Sequence, residues 1–231
     1  MRYKEFERII SEERIARYVQ ACGGNTRKAM TLYRYNLQLS QEMFTIISCF
    51  EVALRNAINT VLRNRLGNDW LKDSIMPNGI FTIRNTHKTF DIIQYAYQKL
   101  VHEQSYSHTK LIAEMEFGIW KYMFSPVQFN QTGRVLLRVF PNKERSTPEN
   151  QYNHSYFFNE LDKINTMRNR IAHHEPVCFY LQDAVIDTSH VLGIYLKMQR
   201  LFAWMNIDSH ALLYGLDHVQ QVCGRINELK E

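Results

Sequence analysis

Residues 43–61 read MFTIISCFEVALRNAINTV. The apolar positions Met43, Ile46, Ile47, Phe50, Ala53, Leu54, Ala57, Ile58 and Val61 recur at steps of three and four. That is the period of one helical face, not of a strand. The stretch sits inside a longer helical segment, from about 26 to 66, which Gly67 stops in the usual role of a glycine just past a helix end. A helix with one apolar face must bury it against other helices. Strand-type alternation persists nowhere for more than a few residues, so the expected class is all-α, a bundle of antiparallel helices.

Working outward, the same period predicts a helix near 4–22, closed by Gly23-Gly24, and further helices near 84–103, 108–124, 126–139, 155–174, 183–206 and 208–229. Residues 73–83, with MPNG, and the polar, proline-bearing 140–153 read as loops. The expected organisation is one α-helical domain over 1–231. It comprises an N-terminal extension (1–24), a core (26–210) and a C-terminal helix (208–229).

Apolar residues make up 45 % of the chain, enough for a core, and no apolar run reaches the ~18 residues of a membrane span. The charged start MRYKEFERIISEERIARY does not read as a signal peptide, so none is expected. Cys22, Cys49, Cys178 and Cys223 are scattered without a C-x-x-C pair, which fits reduced thiols and a cytoplasmic protein better than disulfides or zinc. Lys and Arg outnumber Asp and Glu by 28 to 23, a mild basic excess that permits nucleic-acid binding without demonstrating it.

The candidate site is RNRIAHHEP, residues 168–176. On an ideal helix Phe157, Leu161, Ile164 and Ile171 form an apolar stripe, and Arg168 falls in its middle, where a charge must be paired or line a cleft. Asn169 and His173, four apart, share a face. His173 and His174 occupy the last turn, and Pro176 prevents continuation. Arg168 and His173 differ in direction by about 140°, so one helix cannot readily aim both at one group.

By itself, Arg-x4-His is a weak pattern, and a basic, solvated helix end explains it better. A metal reading of HHE fails on geometry, since adjacent histidines point about 100° apart and a zinc helix needs them on one face. The other histidines, His87, His102 and His108 among them, show no ligand spacing and are expected at the surface. No nucleophile elbow or phosphate-binding glycine loop is present, and core packing accounts for the aromatics. Glu51 and Arg55 form an i,i+4 pair. They are either a surface ion pair or, with Glu51 meeting Arg168 from a neighbouring helix, part of the site.

RNRIAHH resembles the Arg-x4-6-His motif of HEPN-type ribonucleases, with Arg168-Asn169 and His173 matching and Ala172 before the histidine as in the Abi-like (abortive infection) branch. SEERIARYVQACGGNTRKAMTLYRYNLQLSQ (11–41), FEVALRNAINTVLRNRLGNDWL (50–71) and EMEFGIWKYMF (114–124) resemble that branch in order, so the likeness covers most of 11–210. The resemblance implies a HEPN-like helical bundle with additional helices, a homodimer whose two motifs form a composite cleft, and metal-independent RNA cleavage in phage defence or as a toxin. On it, Arg168, Asn169 and His173 would be catalytic. His174, Glu51, Arg55 and Arg170 are auxiliary candidates. No cofactor or metal is expected. RNA would be the substrate, with an antitoxin or regulatory RNA as a neutralising partner. The rival function is a non-catalytic RNA-binding or protein-interaction module.

Overall fold

The computed structural model describes residues 1–180 and 183–230. It contains twelve α-helices: α1 (Tyr3–Ile10), α2 (Glu12–Ala21), α3 (Thr26–Leu66), α4 (Trp70–Asp73), α5 (His87–His102), α6 (His108–Glu114), α7 (Phe117–Tyr122), α8 (Pro126–Gln131), α9 (His154–Ala172), α10 (Ser189–Trp204), α11 (Ser209–Leu212) and α12 (Val219–Asn227). Among the described residues there is no strand, only an isolated antiparallel bridge between Phe179 and Ile186. The fold is all-α.

Helix α3 runs over the range its periodicity predicts. Asn25 starts it, its Oδ1 accepting from the amides of Arg27 and Lys28, both at 3.1 Å. Gly67, at φ +108°, ends it. Met43, Ile46, Ile47, Phe50, Leu54 and Ile58 are buried along one face.

Several expected helices are broken instead. The segment near 4–22 divides at Ser11, whose φ of 79° turns the chain and whose hydroxyl accepts from the Arg14 amide to open α2. The segment 108–124 breaks at Met115, where the backbone becomes extended. Gly133 and Arg134, both at positive φ, end the helical run expected over 126–139, leaving only a short 3-10 turn at Leu136–Val139. The segment 208–229 contains α11 and α12, interrupted at Gly215, φ 73°. Helix α10 starts at Ser189 rather than near 183.

The chain resolves into two compact units. The first comprises Met1–Ser48, Thr166–Arg200 and the chain from Ser209 onward; the second comprises Cys49–Asn165 and Leu201–Asp208. Three of the boundaries fall inside α3, α9 and α10, and the fourth falls just before α11.

In the first unit a relay of rings ties four segments together. Phe6 of α1 meets Tyr33 of α3 edge-on at 5.5 Å, Tyr33 meets Tyr18 of α2 at 5.1 Å, and Tyr18 meets Phe179 at 4.9 Å. Such pairs contribute about 0.5–1.5 kcal/mol each beyond their buried area. Phe179 follows the α9 motif, so the relay fixes where the chain goes after it.

The second unit has its own aromatic core, with Phe140 stacked on Phe157 at 4.0 Å and Phe50 edge-on to Phe202 at 5.2 Å. His108, expected at the surface, is half-buried there. Its Nε2 lies 2.8 Å from Asn59 Oδ1, which also accepts from Trp70 Nε1, and burial holds its pKa below the usual value. Spacing alone could not reveal this, because Asn59 lies on a different helix.

Candidate functional site

The last turn of α9 belongs to the first unit. Met167 is fully buried, Arg168, Arg170 and Ile171 are half-buried, and Asn169, His173 and His174 are exposed. The helix ends at Ala172, two residues before its expected limit. Proline is not the immediate cause. His174 takes the left-handed conformation, φ 57°, where glycine is usual. The Glu175 amide returns to the Arg170 carbonyl at 2.8 Å and the His174 amide to Ile171 at 3.0 Å. This pair of bonds satisfies carbonyls that a helix end leaves free. His173, the last residue before the reversal, is anchored by its amide on Asn169 O at 2.9 Å.

Three side chains hold the chain beyond that reversal. Arg170 donates from Nη2 to Pro176 O at 2.6 Å, with Nε 3.4 Å from Glu175 Oε2. Asn36 of α3, 4 % exposed, accepts on Oδ1 from the amides of Val177 at 2.8 Å and Cys178 at 3.2 Å. Arg17 of α2 donates from Nε and Nη2 to Asp183 O, at 3.0 and 2.6 Å, and lies 4.4 Å over the Phe179 ring. Burial pushes the Cys178 thiol up to about 12, which leaves it protonated and inert at neutral pH.

Beside the turn is a cleft of 430 Å³, lined among others by Arg14, Arg17, Tyr33, Asn36, His173 and His174, with Glu13 and Glu175 also present. The structure therefore brings His173 and His174 together with two arginines of α2. Arg168 and Asn169 do not line this cleft. Among the described residues the side chains of Arg168, Asn169, His173 and His174 make no hydrogen bond or ion pair. Arg170 is spoken for by the turn. Glu51 and Arg55 are half-buried and belong to the second unit; Arg55 Nε is buried with no hydrogen-bond partner among the described residues. No group of three His, Cys, Asp or Glu side chains suited to a metal is gathered among the described residues. A larger cavity in the second unit, 730 Å³, is walled by Ile75, Phe81, Ile83 and Phe90. Its titratable groups are few and His87 is already paired with Asp91 at 3.1 Å, so the His173 cleft has the stronger chemistry.

The sequence profile of the Abi-like protein family matches residues 1–178. The chain belongs to the Abi-like protein family. In this Abi-like protein the match takes in α1 to α9 and the whole of RNRIAHHEP, and so includes Arg14, Arg17 and Asn36 with the motif. No curated protein and no solved structure matches the chain. No helix among the described residues is long and apolar enough to cross a membrane.

Arg14, Arg17 and Asn36 are the site residues that periodicity overlooks. Arg14 and Arg17, three apart beside the buried Ile15 and Tyr18, are a faint signal of a basic helix edge. Asn36 on an otherwise apolar face of α3 is a stronger one, since a buried amide needs partners. Replacing Asn36 with Leu would leave the Val177 and Cys178 amides buried and unbonded. At about 1–3 kcal/mol per orphaned group, Asn36→Leu is expected to lower unfolding stability in urea by roughly 2–4 kcal/mol, whereas Asn36→Asp, which keeps both acceptors, loses much less.

Proposed function

We propose that this Abi-like protein is a metal-independent endoribonuclease of the HEPN type, acting in phage defence by abortive infection or as a toxin in the cytoplasm. The observation that carries the reading is His173. Its imidazole is exposed and uncommitted at an anchored helix end, in a cleft that also holds arginines. A general base needs such freedom, together with a fixed backbone.

The chemistry is transesterification. His173 takes the proton of an RNA 2′-OH; the O2′–P bond forms and the P–O5′ bond breaks. A second protonated imidazole, His173 of the other subunit, returns a proton to the departing 5′-oxygen. The phosphorane gains negative charge, which the guanidinium fork of Arg168 can bind. Asn169 orients His173 or the phosphate, and His174 assists. Glu51 and Arg55 remain auxiliary candidates, while Arg170 contributes by holding the turn. Because Arg168 lies outside the His173 cleft of its own chain, the reading requires a homodimer in which each chain completes the other's site. A neutralising antitoxin or regulatory RNA would cover the same surface.

Product ends test this. Cleavage in excess EDTA is expected to continue at an unchanged rate and to leave a 2′,3′-cyclic phosphate and a 5′-hydroxyl. A magnesium requirement with 5′-phosphate products would mean metal-assisted hydrolysis instead. RNA bound but left intact would make the protein a binding module.

A further inference from the structure

The cleft beside the α9 turn holds more donors than proton transfer needs. Asn36 is 4 % exposed and lines the cleft. Two amide N–H groups fix its oxygen on the side of Val177 and Cys178, so the orientation of the amide is not arbitrary. Its Nδ2 is the end left toward the cleft, and it has no hydrogen-bond partner among the described residues. Arg14, exposed on the first turn of α2, has no ion pair among the described residues. Arg17 differs, since Asp183 O and the Phe179 ring occupy its guanidinium.

Both carboxylates at the cleft are already engaged. The adjoining backbone amide and the Ser11 hydroxyl hold the Glu13 carboxyl below the usual range. Glu175 faces Arg170. What remains uncommitted is a guanidinium, a buried amide nitrogen and two imidazoles, all able to donate. The N-terminus of α2, where Ser11 also lines the cleft, adds the positive end of a helix dipole. A site that offers donors from several directions selects an oxyanion with several acceptor oxygens. A volume of 430 Å³ admits a group of nucleotide size.

We propose that Arg14, Asn36 Nδ2 and His174 form a phosphodiester subsite, which holds a backbone phosphate of the RNA strand next to the linkage cut at His173. Its place beside the scissile bond rests on the nuclease reading; the binding itself does not. RNA would thus enter along α2, and each bound strand would present at least two phosphates to one chain.

The test uses a fluorescent 2′-O-methyl oligoribonucleotide, which cannot be cut, with affinity read by anisotropy across a salt series. Arg14→Gln is expected to weaken binding about tenfold and to reduce the slope of log affinity against log salt by about 0.7, the value for one single-strand phosphate contact. Asn36→Asp keeps the two backbone bonds but replaces the donor with a negative charge, and should weaken binding at least as much without loss of folded structure. Arg27→Gln makes the same charge change outside the cleft and should leave both readouts near wild type. If Arg14→Gln and Arg27→Gln behave alike, the subsite is wrong even if the protein cleaves RNA. If inorganic phosphate competes at millimolar levels but Arg14→Gln leaves oligonucleotide affinity unchanged, the cleft takes free phosphate and the phosphodiester assignment is wrong. A wild type that binds the oligonucleotide through Arg14 but never cuts RNA supports the subsite and removes the nuclease reading.

Discussion

His173→Ala is expected to lower the proposed RNA cleavage by roughly 10²–10⁴-fold, the usual contribution of a positioned acid–base group, while melting temperature and circular dichroism stay close to wild type. The separation follows from where the side chain sits. The imidazole is exposed and makes no hydrogen bond or ion pair among the described residues, so its removal costs no packing. Its remaining link to stability is the interaction of a protonated ring with the helix end, about 0.3–1 kcal/mol. The backbone bond from the His173 amide to Asn169 O survives in alanine. Activity is measured on denaturing gels and stability by thermal melt. A mutant that cuts RNA at the wild-type rate would remove His173 from the mechanism; one that unfolds would make the residue structural.

Mixing subunits is expected to produce the second large effect. With about a tenfold excess of the doubly substituted chain (Arg168→Ala, His173→Ala), a composite site leaves activity only in wild-type homodimers. These fall to about one-hundredth of all dimers, against about one-tenth for wild-type chains. Activity should follow the smaller figure once exchange is complete. The reason is geometric: His173 lines a cleft that Arg168 of the same chain does not, and their directions differ by about 140° along an ideal helix. In the proposed homodimer a two-fold axis would bring the arginine of one chain to the histidine of the other. Activity that tracks wild-type chain count, or an active monomer in light scattering, would show that each chain works alone.

What could be read from the sequence divides along a physical line. Helix α3 was legible from end to end because its apolar positions repeat over many turns, with Asn25 and Gly67 at the ends. The break at Ser11 was not, since nothing near it resembles glycine or proline, and a left-handed serine reveals itself only in the fold. The end of α9 misled for the same reason. Pro176 promised a stop, but the reversal is made two residues earlier by His174. Within the site, His173 and Arg168 could be singled out from local pattern and resemblance. Arg14 and Asn36 could not, because they reach the motif from more than 130 residues away in the chain, and helical periodicity carries no information about which distant face meets which.

The hold on the chain after α9 has a further consequence. Arg170 fastens Glu175 and Pro176 onto α9, Asn36 fastens Val177 and Cys178 onto α3, and Arg17 holds Asp183 O to α2. The loop that carries His174 is therefore ordered when the protein folds, not when a ligand arrives. Ordering a loop on binding costs about 0.5–1.5 kcal/mol for each immobilised side chain, and here that cost is met in advance. Such preorganisation favours rapid capture over induced closure. It also ties the cleft to α3: any fluctuation that lifts Asn36 away from Val177 would disassemble the proposed phosphate subsite and displace the imidazoles together, so on the proposed function local opening at that one contact would end binding and cleavage well before the rest of the protein unfolds.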